Sequence, residues 1–356
     1  MKIGYHAPPP GAATGVADYA ETLLGALPAT TAKVDIYHLG NNRLHADIYA
    51  RALATPGIIV LHDAVLHHFL LGALSPTQYI EEFVYNYGEW SRHVAEDLWR
   101  DRAACSVDPR YFRYPMIRRA VEHARAVIVH NPGAAAIARE HGAKDVRVIP
   151  HFFEQRDAPD GFEVERFRQR LGIPPGATLF GVFGYLRETK RIAATIRAFR
   201  RLNTVRPDTA LLIAGDAVSG DLARQLANED PHPAIYRVGH LPDRDFRIAA
   251  QAVDCCVNLR YPAAGETSGI AIRLMGVGKP VIVTEGAETA DIPDAACLRV
   301  PWGVTEGEAL FQQMALVGEF PFVAKDIGTA AAEHIRTHHS LETAAKQYLQ
   351  VIDSIA

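Results

Sequence analysis

The sequence predicts an α/β protein with two domains of alternating strands and helices. Its 356 residues suffice for two domains of ordinary size. Apolar, strand-like runs alternate with helical periodicity, and the alternation restarts after the polar, Pro/Gly-marked stretch 154–176. The stretch 255–283 reads as strand, glycine-bearing loop, helix and strand in quick succession. A chain that is 48% hydrophobic and 22% charged can bury substantial cores, and its mean hydropathy of -0.04 fits a soluble protein. A net charge of -4 with pI near 6.5 argues against nucleic acid as a partner.

The first half opens with a strand over Lys2–His6, broken by Pro8-Pro9-Pro10-Gly11. Gly15 to Asp18 lead into a helix with Val16, Tyr19, Leu23 and Leu27 on one face. Lys33–Leu39 is a second strand, Gly40-Asn41-Asn42 a turn, and 45–53 a short helix. Gly57–Leu61 is a buried strand ending in His62-Asp63, at the carboxyl end where α/β sheets place their ligands. Residues 78–120 interleave aromatics with Arg110, Arg113, Arg118 and Arg119. They are either an acceptor-sugar or anionic-lipid surface, or a helical subdomain with a solvated arginine face. Strands over 126–130 and 146–151 close the half, with Asn131-Pro132-Gly133 opening the helix between them.

After 154–176, read as a linker with one short helix, comes the strand Thr178–Gly184. The helix that follows, with Ile192, Ile196, Phe199 and Leu202 along its stripe, begins at Lys190-Arg191. Cations there oppose the helix dipole, so the pair invites an anion. Strands over 209–215 and 235–240 follow, the second ending in His240, with Leu241 next in the chain. Asp243-x-Asp245 precedes a helix, and Asp243 reads as its N-cap rather than a metal ligand. No metal-type spacing links Cys105, Cys255, Cys256 and Cys297; adjacent Cys255 and Cys256 should face opposite sides of a strand. In 255–283, the loop Gly265-Glu266-Thr267-Ser268-Gly269 sits between strand end and helix start. Free backbone N–H groups, the helix dipole and short hydroxyls suit a phosphate, whereas Glu266 suits sugar or ribose hydroxyls. Together they suggest a nucleotide-sugar. Three tail helices end the chain; 341–352 places Leu341, Ala345, Tyr348, Leu349 and Ile352 on an apolar face. No apolar run reaches the roughly 18–20 residues of a membrane span. The start MKIGYHAPPP reads as strand and loop rather than signal peptide, so the expected compartment is the cytoplasm.

The strand, the Glu-containing loop, the helix and the ending G-K-P-V-I-V resemble the donor-binding segment of retaining glycosyltransferases of family 4. That family has the GT-B fold, two Rossmann-like domains facing an interdomain cleft. The family pattern has two glutamates with seven residues between them; here the second position holds Arg273, the first falls at Gly265, and Glu266 lies one place after it. Lys190 matches the family's diphosphate lysine, while Tyr185 stands where an arginine is usual and Arg191 is the candidate substitute. The resemblance implies a metal-independent transfer of a sugar from a nucleoside diphosphate to a hydroxyl acceptor, free or lipid-linked, with no further cofactor. It implies catalytic roles for His62, Lys190 and Glu266. Donor contacts would come from Gly184, Arg191, His240, Leu241, Thr267, Ser268, Gly269 and Arg273. Gly11, Gly15, Asp18 and Asp63 would face the acceptor. The implied domains are 1–153 with 340–356 packed back on it, the linker 154–176, and the donor domain 177–339. Two alternatives stand beside this reading: a nucleotide-sugar epimerase or hydrolase on a similar two-domain frame, and a scaffold that kept the fold without turnover, which the departures at Tyr185 and Arg273 favour.

Overall fold

The computed structural model describes residues 3–28, 33–229 and 231–355. The chain divides into two compact units: Met1–Phe152 with Pro262–Thr267 and His339–Ala356, and Phe153–Tyr261 with Ser268–His338.

The first unit is built on five parallel strands in sequence order: β1 (Gly4–His6), β2 (Asp35–Leu39), β3 (Ile58–Leu61), β4 (Ala126–Val129) and β5 (Val146–Val148). Lys2, expected in the first strand, lies outside the described residues. Strand parity sorts the core. Tyr37, Leu39, Ile59, Leu61, Val127 and Val129 pack on one face, and Ile36, Ile58, Val60, Ala126 and Ile128 on the other. Helix α1 (Gly15–Ala26) covers the second face together with the closing helix Leu341–Ile355. Tyr19 and Tyr348 join the two helices through their hydroxyls, 3.1 Å apart. On the closing helix Ala344, Ala345, Tyr348, Val351 and Ile352 are the buried residues, and Leu349 is only half-buried.

The first face carries α2 (Ala46–Ala54), α3 (His67–Ala73), α4 (Pro76–Tyr87), α5 (Arg92–Arg100), α6 (Arg118–His123) and α7 (Pro132–Glu140). The stretch 78–120 is therefore mostly helical. A capping box between Ser75 and Gln78, with Pro76 in the first turn, starts α4. Arg110 pairs with Asp101 and Asp108, Arg118 with Glu122, and Arg119 with Glu82. Tyr79, Phe83 and Tyr111 are core residues. No helix among the described residues is long and apolar enough to cross a membrane.

The second unit holds six parallel strands: β6 (Thr178–Phe183), β7 (Thr209–Ala214), β8 (Ile235–Val238), β9 (Cys255–Asn258), β10 (Val281–Thr284) and β11 (Leu298–Val300). Their order is β11-β10-β9-β6-β7-β8. The chain runs outward from β6 to β8, then returns to place β9 on the other side of β6. That reversal is the point where open α/β sheets leave a crevice at their carboxyl ends. The helices are α8 (Gly161–Leu171), α9 (Ile192–Val205), α10 (Gly220–Ala227), α11 (Asp243–Ala252), α12 (Gly269–Gly276), α13 (Glu306–Glu319) and α14 (Pro321–His338). Residues 154–176 thus carry α8, started by an Asp160–Glu163 capping box and anchored by buried Phe167. Cys255 and Cys256 lie in separate core clusters on opposite faces of β9.

Candidate functional site

In the second unit the candidate groups gather where β6 and β9 end. Gly184 follows β6 with φ +82, and a Cβ there would stand 3.2 Å from Lys190 Nζ. The chain turns through Glu188–Lys190, and Arg191 adopts a left-handed conformation before α9. Lys190 is only 8% exposed, and its ammonium donates to the Phe183 carbonyl at 2.5 Å. Reaching back to the carboxyl end of β6 takes the cation away from the unfavourable start of α9. The backbone N–H of Tyr261 donates to Thr189 O at 2.8 Å, tying the lysine turn to the loop after β9.

At the start of α12, Ser268 is the N-cap: Oγ accepts from Ala271 N at 3.3 Å, lies 3.2 Å from Asn258 Oδ1, and accepts from Arg260 Nη2 at 3.3 Å. The Ser268 hydroxyl is thus committed to the protein. What α12 offers outward is its first-turn N–H groups, from Gly269 and Ile270. Ile270 also lies close to Gly184, so the glycine, the lysine and the helix start converge.

Other expected donor residues have structural partners. Arg191 binds Glu306 through Nε and Nη2 at 2.7–3.0 Å. Arg273 donates to Asp243 at 2.5 Å and covers the Phe246 ring at 3.9 Å. Asp243 is not an N-cap: Pro242 holds that position, and Asp243 instead collects Arg156, Arg247 and Arg273. Those arginines hold its carboxyl below the usual range against the opposing effect of burial. His240 is exposed, its N–H donates to Asp216 Oδ1 at 3.2 Å, and its ring lies stacked near Tyr185 at 6.1 Å. Half-buried Leu241 packs on the core beside it.

In the first unit, Asp63 accepts from Asn41 N at 2.7 Å, fixing the turn after β2. Gly11, Gly15 and Asp18 are exposed around the start of α1. Glu266 Oε2 accepts from Ala264 N at 2.7 Å within its own loop. That loop is seated on the ends of β3 and β4. Val65 N donates to Ala264 O at 3.0 Å, and Gly265, with φ +74, lies so close to Ala64 that a Cβ would sit 2.6 Å from its methyl. Asn131, 1% exposed, caps α7 through Oδ1 and donates from Nδ2 to Gly265 O and Thr267 Oγ1, each at 3.0 Å. In the sequence Asn131 reads only as a helix start; its partners lie 134 and 136 residues away.

His62 stands half-buried at the end of β3 in a cluster of rings. Tyr19 is its centre, with the rings of His62, His130 and His151 at 4.9–5.0 Å and Phe152 at 4.4 Å. His38, from β2, lies 5.3 Å from His62. His67 is structural, bonded to Tyr79 and Tyr114 O. Burial lowers His38 and His151 to about 3 and His130 to about 4, and carries His62 well below its usual range. These rings are neutral when folded and titrate near 6.5 when unfolded, so below that pH the unfolded chain takes up the extra protons. Stability is then complete above pH 6.5 and falls as pH drops toward 4, by about 2 kcal/mol per buried ring at about pH 5. Urea midpoints measured at neutral and mildly acidic pH check this; equal midpoints contradict it.

Among the described residues no group of three or more His, Cys, Asp or Glu side chains has metal-holding geometry.

Two parallel sheets with flanking helices, the second reversing its order at β6, make this the α/β two-domain fold of GT-B glycosyltransferases. Solved structures with the same fold include Anabaena HepE in complex with UDP-glucose, at 15% identity and TM-score 0.65, covering 99% of this chain and 100% of that one. WaaG, a glycosyltransferase of lipopolysaccharide biosynthesis, matches at 14% identity and TM-score 0.64 over 98% of this chain and 99% of its own. Sucrose-phosphate synthase from Thermosynechococcus elongatus matches at 18% identity and TM-score 0.64, over 90% and 73%. By sequence, no family model and no curated protein matches the chain.

Proposed function

We propose that this chain is a retaining, metal-independent glycosyltransferase of the family 4 type, moving a sugar from a nucleoside diphosphate to a hydroxyl acceptor. The observation that carries the reading is the convergence of Lys190, Gly184 and the α12 N-terminus where the second sheet reverses. Breaking the glycosidic bond builds negative charge on the leaving diphosphate. The Lys190 ammonium and the Gly269 and Ile270 amides supply fixed positive potential for it, the task a divalent cation performs elsewhere. Among the solved structures of this fold, HepE holds UDP-glucose and the pneumococcal transferase GtfA holds UDP and GlcNAc, which supports a UDP-sugar as first candidate donor.

In this reading the base lies against the loop at His240 and Leu241, beside Tyr185. Glu266, whose Oε2 accepts from Ala264 N, takes sugar hydroxyls, and His62 faces the transferred sugar. The acceptor proton passes to the leaving phosphate in a front-face reaction, so no paired carboxylates of glycosidase spacing are required. Gly11, Gly15, Asp18 and Asp63 belong to the acceptor side. The buried thiols of Cys255, Cys256 and Cys297 fit a reducing, cytoplasmic setting.

The test is incubation with UDP-, GDP-, ADP- and dTDP-sugars and a panel of hydroxyl acceptors, with chelator or magnesium, reading released nucleotide and product anomer. Acceptor-dependent release with the donor's anomeric configuration kept, unaffected by chelator, is the expected result. Isomerised donor or release without an acceptor points to an epimerase or hydrolase, and binding without turnover to a scaffold.

A further inference from the structure

Nε2 of His62 lies 2.9 Å from Nδ1 of His38. One of these two nitrogens carries the proton, and the surroundings of His38 decide which. His38 is 0% exposed, and its other nitrogen, Nε2, meets no hydrogen-bond partner among the described residues. If His62 donated to His38, the His38 proton would have to sit on that Nε2, leaving a buried N–H with nothing to bond. Buried orphan donors are rarer than buried orphan acceptors. If His38 donates, Nε2 keeps only a lone pair.

The neighbouring rings follow the second arrangement. His45 Nδ1 faces the His38 carbonyl and His130 Nδ1 faces the Ile149 carbonyl, each at 2.9 Å, and a carbonyl only accepts. Both rings therefore carry their proton on Nδ1, and their own buried Nε2 atoms are likewise lone pairs with no partner among the described residues.

We propose that His38 is a positioning residue that fixes His62 as a neutral ring with its lone pair on Nε2 and its proton on Nδ1. The burial that makes all these rings poor bases agrees with the uncharged form. His62 is the half-buried member of the set, at the end of β3. A ring held this way offers an N–H and no free lone pair, so it donates to a ligand oxygen and does not act as a general base. The inference deepens the proposed function and rests on it only for what the N–H would meet, a hydroxyl of the transferred sugar. The alignment itself is set by β-strand register: His38 lies opposite Val60 in the β2–β3 ladder, and His62 follows two residues later on the same face.

The experiment is long-range ¹H–¹⁵N correlation of the histidine rings in the full, uniformly ¹⁵N-labelled chain at neutral pH, with His62 assigned through H62Q. A pyrrole-type Nδ1 and a pyridine-type Nε2 for His62 are expected. The opposite tautomer, averaged shifts or a charged ring would overturn the proposal. In H38L the His62 pattern should average or reverse. In H38N, whose amide nitrogen stands near the lost Nδ1, it should return. With UDP-glucose as the donor probe, H38L should lower kcat about tenfold with little change in KM, and H38N should recover most of it. If H38L does not fold, the wild-type spectrum alone decides. A protein with the expected tautomer that binds no nucleotide-sugar contradicts the proposed function and leaves the role of His38 standing. An active enzyme with the proton on Nε2 contradicts the role of His38 alone.

Discussion

Lys190→Ala is expected to lower sugar transfer by roughly 10²–10³, about 3 kcal/mol of barrier, the usual loss for one donor aimed at developing charge. The size follows from the setting of the ammonium. It is almost fully buried, and the Phe183 carbonyl is among its acceptors, so water screens the cation little. The same charge is felt by the Cys256 thiol, which burial pushes up to about 12 while Lys190 pulls it back. Lys190→Met keeps the aliphatic stem and separates packing from charge: it should fold normally and show the same loss. Transfer at the wild-type rate in K190M would mean that Lys190 does not carry the leaving-group charge.

Arg191→Ala is expected to destabilise the second unit by about 3 kcal/mol, because it leaves a buried carboxylate without its partner. Glu306 is 3% exposed and receives three contacts from the one guanidinium. The value sits at the low end of the range for broken buried pairs, since the Arg191 side chain is itself 35% exposed and water can enter. Replacing both residues with apolar side chains should return most of the loss. Urea titration of R191A, E306L and the double variant reads this directly, and an R191A midpoint equal to wild type contradicts it. The pairing also bears on the proposed donor site, because Glu306 largely answers the charge of Arg191 within the protein.

The strand–loop–helix–strand at 255–283 and the lysine turn after β6 were legible because each is local. Apolar runs, a glycine-rich loop and a helix start are written in consecutive residues, and the opposite faces of Cys255 and Cys256 follow from the two-residue period of a strand. The contacts that build the sites are not local. Asn131 bonds a loop more than 130 residues away, and His38 meets His62 only through the register of two parallel strands, which no sequence spacing specifies. Asp243 had the right residue type for an N-cap, yet Pro242 occupies the cap position and three arginines claim the carboxylate. Residues 78–120 read either as a binding surface or as a helical subdomain because their aromatics are spread along short helices, and only packing shows which rings are core. Ser268 fell where a phosphate-binding hydroxyl belongs, but Asn258 and Arg260 already engage it, leaving the amides of α12 for a ligand.

The measurement that tests the account most directly is the thermal shift of the purified protein with millimolar UDP, GDP, ADP or dTDP, with and without magnesium. A micromolar site filled by millimolar ligand adds about 4 kcal/mol of stability. One nucleotide is expected to raise the melting temperature, magnesium to make no difference, and K190M to lose the shift. No shift with any nucleotide, or a shift unchanged in K190M, would contradict a donor site organised around Lys190.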